Sequence, residues 1–205
     1  MNHPELVTNL RKPGQDIVAG FTEHSLQLFD LSTQLSCVTG SILFKVRGLI
    51  NISPFSVVDS SITPEQADLW HMAIGLSGEA GEILDTCKKY AIYCKPLDRD
   101  NLKEELGDLF FYREGMRQNS YIKVSEDRLG CSDDTEWSTR VNFQAQVLPV
   151  LHTLDRTMTN MLRCLEMTKG EVLAANIAKL QVRYSAGKYS NQQAQARADK
   201  APDAA

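Results

Sequence analysis

The chain has 205 residues, 42% apolar and 23% charged, which suits one globular domain with a sizeable core, with or without insertions. Its 22 basic and 26 acidic residues leave a net charge of −4, which argues against a nucleic-acid or membrane partner, so any phosphate-bearing ligand must be held locally, through a metal. No run approaches the roughly twenty apolar residues of a membrane span, and the opening MNHPELVTNLRKPGQD lacks the basic-then-apolar order of a signal peptide, so a soluble, cytoplasmic protein is expected.

Between residues 14 and 36, Ile17, Val18, Phe21, Leu26, Leu28, Phe29, Leu31 and Leu35 fit an amphipathic helix imperfectly. From Ser41 to Val58 the texture becomes β-branched and aromatic around Gly48, which predicts a short hairpin or extended excursion, with Pro54 arguing against a central strand. Thr63-Pro64-Glu65-Gln66 then reads as a helix start with a capping box, and the helix can run to about Tyr93. Gly75, Gly78 and Gly81 inside it each cost about 1 kcal/mol relative to alanine, which suggests close helix packing, ligand access or a local break. The loop from Lys95 to Asp100 stops this helix, and its aspartates can cap a second one from about Asn101 to Gln118, giving an αα-hairpin.

Beyond Asn119 the pattern is lost through SYIKVSEDRLGCSDDTEWSTRVNF, which reads as loop or short strands. A helix resumes near Gln144, interrupted at Pro149, and continues to Thr168, followed by a helix from Gly170 to about Tyr184 and a polar, alanine-rich tail over 185–205, frayed at its end. Cys37, Cys87, Cys94, Cys131 and Cys164 are scattered and never form a C-x-x-C pair. They indicate a reducing compartment and read as small apolar residues, outside zinc or disulfide chemistry.

The chemistry concentrates on the hairpin, as Glu79-x-x-Glu82 and Glu105-x-x-Asp108. Residues three apart share a helix face, so each pair presents two carboxylates together. If the hairpin turns these faces toward each other, four acids converge where their repulsion demands a cation. Oxygen-only ligands suit Mg2+, with Mn2+ the alternative, and imply metal-assisted attack at phosphorus. Taken singly, such pairs also read as solvated helix faces, as Asp85 with Lys89 does.

The stretches HMAIGLSGEAGEILDTCKK, IYCKPLDRDNLKEELGDLFFY and EVLAANIAKLQVRYSAGKYS resemble the MazG-like branch of the all-α nucleoside triphosphate pyrophosphohydrolases. The family motif E-x-x-E followed by E-x-x-D falls on Glu79, Glu82, Glu105 and Asp108. The resemblance implies an all-α helical bundle, Mg2+ dependence, and hydrolysis of a nucleoside triphosphate to monophosphate and pyrophosphate. It also implies a homodimer or homotetramer with sites near subunit contacts. Tyr112, one turn after Asp108, can reach phosphate or sugar, or pack. Asn176, Lys179 and Arg183 look like the family's nucleotide-contacting late helix; the same residues also read as a solvated face opposite Ile177 and Leu180. His71 can sit beside base or sugar or simply pack, Trp70 can stack on a base or fill the core, and Lys88 and Lys95 can neutralise phosphate or remain solvated.

The resemblance covers about 6–22, 62–118 and 167–200, leaving two insertions, about 23–61 and 119–166, of loop or short-strand character. A non-catalytic nucleotide-binding or regulatory protein that kept the four acids is the alternative.

Overall fold

The computed structural model describes residues 10–50, 63–118, 134–196 and 198. These form helices and connections without a strand: α1 (Gly14–Ala19), α2 (Glu23–Ile50), α3 (Pro64–Tyr93), α4 (Arg99–Gln118), α5 (Asp134–Cys164), α6 (Lys169–Arg183) and α7 (Asn191–Ala196). The fold class is therefore all-α, as expected. No helix of the described residues is long and apolar enough to cross a membrane.

Local chemistry fixes the helix starts. Thr63 accepts from the Gln66 amide at 3.2 Å while Gln66 Oε1 accepts from the Thr63 amide at 3.1 Å, a complete capping box with Pro64 at the first position. Thr168 and Glu171 repeat the device at α6. Asp98 accepts from the Asn101 amide at 3.0 Å and so caps α4, which begins at Arg99, two residues earlier than expected.

The largest departure from expectation is α2. Residues 41–50, expected to be extended, continue a 28-residue helix, while 51–58 lie outside the described residues. Buried positions fall at Ser25, Leu28, Ser32, Leu35, Thr39, Ile42 and Val46, alternating three and four apart along one seam. Ser and Thr hold three of those seven positions, so hydropathy conceals the period. Their hydroxyls donate back to carbonyls of the preceding turn, Ser32 to Phe29 at 2.8 Å and Thr39 to Leu35 at 2.9 Å, which satisfies them where they are buried. Tertiary burial thus overrides the β propensity of the ILFKV stretch.

The second expected loop is also corrected. Within residues 119–143, the part from Asp134 onward is helical and belongs to α5, and residues 119–133 lie outside the description. The helix passes through Pro149 without a break. Pro149 and Ala145 are both exposed, so the carbonyl that proline leaves unbonded is open to water. Val147, Leu151, Leu154, Met158 and Met161 form its buried seam, and Leu165 just beyond its end continues it. It ends at Cys164 rather than Thr168, because Glu166 adopts φ 51° and the Met167 amide reaches back to the Leu162 carbonyl at 2.9 Å, a Schellman turn.

These two helices are core elements. α2 packs against both α3 and α5, α4 packs on α3, and α6 packs on α4. A single cluster of buried side chains runs from Leu28 on α2 to Val172 on α6. Polar ties close the ends: His24 lies 3.2 Å from the Tyr90 hydroxyl and 3.3 Å from the Cys164 carbonyl, Arg99 donates to the Leu165 carbonyl, and Lys12 to that of Ile92. Cys87 is buried against α2 and burial pushes its thiol up to about 11, as a packing cysteine requires, whereas Cys37 and Cys94 are exposed.

Candidate metal centre

Close approach of α3, α4 and α6 builds the site. A β-carbon on Gly75 of α3 would lie 2.3 Å from the Tyr112 ring of α4, and one on Gly107 would lie 2.8 Å from Cβ of Asn176 on α6. The missing side chains let helix backbones come near enough for short carboxylates to meet. Gly78 and Gly81 meet nothing within 4 Å, so close packing explains the first of the three α3 glycines only.

One carboxylate oxygen from each of Glu79, Glu105 and Asp108 falls within 4.8 Å of the others. Glu82 is exposed, lies outside this triad and borders the same cavity, which has a volume of about 800 Å3. Glu105 is 5% exposed. Burial first, then its hydrogen bond with Glu79 and the charge of Glu82, push its carboxyl up to about 8. Burial likewise raises Glu79, while Asp108 and Glu82 add repulsion. Both shifts favour the protonated carboxyl when no cation is present. Asp108 is supported differently: Asn176 Nδ2 donates to it at 2.7 Å, and the Lys179 ammonium pairs with it and lies 3.4 Å from Glu104.

His71, Tyr112 and Arg183 also border the cavity. The rings of His71 and Tyr112 meet edge to face, with centroids 6.0 Å apart, so His71 both packs and faces the opening. Burial, followed by the charges of Glu79 and Asp108, raises the Tyr112 phenol, which keeps it a hydrogen-bond donor. On α6 the solvated-face reading does not describe Asn176, which is 7% exposed, or Lys179, whose side chain is 12% exposed; Ile177 is instead 56% exposed. Trp70 packs against the core. Lys88 pairs with Asp85, which also holds Lys89 at 2.7 Å, and Lys95 is exposed after the end of α3; neither Lys88 nor Lys95 borders the cavity.

The cavity holds residues that sequence reasoning missed: Glu104, Phe111 and Tyr184, and then Lys188 and Tyr189 from the start of the polar tail. Glu104 was legible as the residue four before Asp108 on the same helix face. Nothing local signalled the return of the tail. There the amide of Gly187, at φ 66°, bonds to the Tyr184 carbonyl, and the rings of Tyr184 and Tyr189 stand 5.8 Å apart.

Oxygen donors alone, partly buried and repelling one another, fit a hard divalent cation such as Mg2+ or Mn2+ better than a softer metal. No family model, curated protein or solved structure matches the chain.

Proposed function

We propose that the chain is a Mg2+-dependent nucleoside triphosphate pyrophosphohydrolase of cytoplasmic nucleotide metabolism, converting a (deoxy)nucleoside triphosphate and water to monophosphate and pyrophosphate. The observation that carries this reading is the convergence of Glu79, Glu105 and Asp108 beside a nucleotide-sized cavity whose wall also bears Arg183 and Lys188. Glu79, Glu105 and Asp108 would hold the cation. When bound, it would neutralise the phosphate oxygens and acidify an attacking water.

The chain's own groups then have separable tasks. Asn176 and Lys179 fix the Asp108 carboxylate in place. Glu82, free of the triad and facing the cavity, accepts the proton of the attacking water on a carboxylate oxygen. Arg183 and Lys188 face the triphosphate and offset its charge, with Arg183 suited to two-pronged contact. Tyr112, His71 and Phe111 form the wall that receives sugar and base. Phe111 and Ile177, each about half exposed beside the opening, suit a subunit contact in a homodimer or homotetramer.

Pyrophosphate release across the standard nucleoside triphosphates, with and without Mg2+, tests this reading. Metal-dependent release that disappears in Glu82→Ala, with helical content unchanged, is the expected result; full activity in that variant removes its role as base. A non-catalytic nucleotide-binding protein is the second reading, favoured by the Lys179 ammonium that already serves Asp108 as counter-ion. It requires nucleotide binding by the folded wild type without product formation under any metal.

A further inference from the structure

A second cavity, of about 630 Å3, opens on the face of α4 turned away from the carboxylates. Arg113, Arg117, Arg163 and Lys169 border it, against two acids, Glu114 and Asp155. Both acids are matched within the protein. Arg113 grips Asp155 with two hydrogen bonds of 2.8 and 2.7 Å, and Arg117 grips Glu114 in the same manner and at the same distances. Arg117 first, and then Gln118, accordingly hold the Glu114 carboxyl down at about 2.

The ion pairs of the described residues leave Arg163 and Lys169 without a carboxylate. The cavity therefore keeps two units of positive charge in a chain whose net charge is −4. Lys169 lies 5.0 Å above the Phe110 ring and opens α6, so the positive end of that helix dipole reinforces it. Leu162, Met167 and Leu173 supply an apolar floor. A cationic rim over such a floor complements a molecule with an oxyanion at one end and an apolar body at the other.

We propose that this cavity is a second ligand site that takes a small phosphate-bearing metabolite without a metal ion, its oxyanion held between Arg163 and Lys169 and its body on the apolar floor. The site does not depend on the catalytic reading of the carboxylates. It also differs from them in charge logic: with divalent cations removed, Glu79, Glu105 and Asp108 repel phosphate, whereas this cavity still attracts it.

Calorimetry in EDTA at low salt provides the test, with inorganic pyrophosphate and the common nucleoside monophosphates as probes. Saturable binding is expected, unchanged in Asp108→Asn and weakened by about tenfold or more in the double variant Arg163→Ser/Lys169→Ser, as loss of charge-assisted contacts implies. Both substituted side chains are exposed, so the variant should keep the wild-type melting curve. Recovery of binding in Arg163→Lys/Lys169→Arg would tie the effect to charge. Preference for a monophosphate would place the ligand among nucleotides, whereas binding of pyrophosphate with no binding of any monophosphate would contradict the role of the apolar floor. No saturable binding by the folded protein, undiminished binding in the double variant, or dissociation of an oligomer by that variant would each overturn the proposal.

Discussion

Glu105 stores the most direct electrostatic signature of the site. Its carboxyl rises from 4.5 to about 8 on folding, so between those values the folded protein binds a proton that the unfolded chain has released. Stability of the metal-free protein is therefore expected to fall as pH rises from about 4.5 to about 8. Thermal melts in EDTA should show that decline, Glu105→Gln should flatten it, and Mg2+ should oppose it by taking the proton's place. A melting temperature that climbs across the same interval would contradict the assignment. The glycines give a second residue-scale test. Gly75→Ala forces a methyl into the Tyr112 ring and should cost about 1–3 kcal/mol in denaturant unfolding. Gly78→Ala meets open space and should instead stabilise α3 by up to about 1 kcal/mol.

Among the helices, legibility followed how much of the signal was local. The Thr63 capping box and the Asp98 stop were readable because each acts within four residues, and α3 and α4 follow them closely. The α2 seam was not, since Ser25, Ser32 and Thr39 look polar until backbone carbonyls three or four residues earlier are seen to accept from them. Leu35, fully buried on that seam, should cost about 2–5 kcal/mol when changed to alanine, whereas Phe44→Ala, exposed on the same helix, should change little. Equal effects in urea titrations would show that α2 does not bury the face described. The carboxylate face was legible from its spacing of three, but the separation of Glu82 from the triad depends on how α3 and α4 cross, which spacing cannot convey.

For the whole molecule, the described parts of the two segments expected to be insertions, 23–50 and 134–166, are structural. α2 lies against α3 and α5, so removing residues 23–50 should abolish the cooperative thermal transition instead of trimming a surface loop. A deletion that melts like the full chain would refute that role. The molecule also separates its charges: Glu104, Glu105 and Asp108 border the cavity on one side of α4, and Arg163 of α5 and Lys169 of α6 border the cavity on its other side, although the chain as a whole is mildly acidic. That polarity is what composition hides, because counting 22 bases against 26 acids says nothing of where they stand. The triad of Glu79, Glu105 and Asp108 could hold a divalent cation, and the most direct measurement of that capacity is Mg2+ titration calorimetry in buffers of different ionisation enthalpy near neutral pH. Saturable millimolar-or-tighter binding with release of a proton is expected, lost in Glu79→Gln and Asp108→Asn. Binding that releases no proton and survives both substitutions, or no binding by the folded wild type, would contradict it.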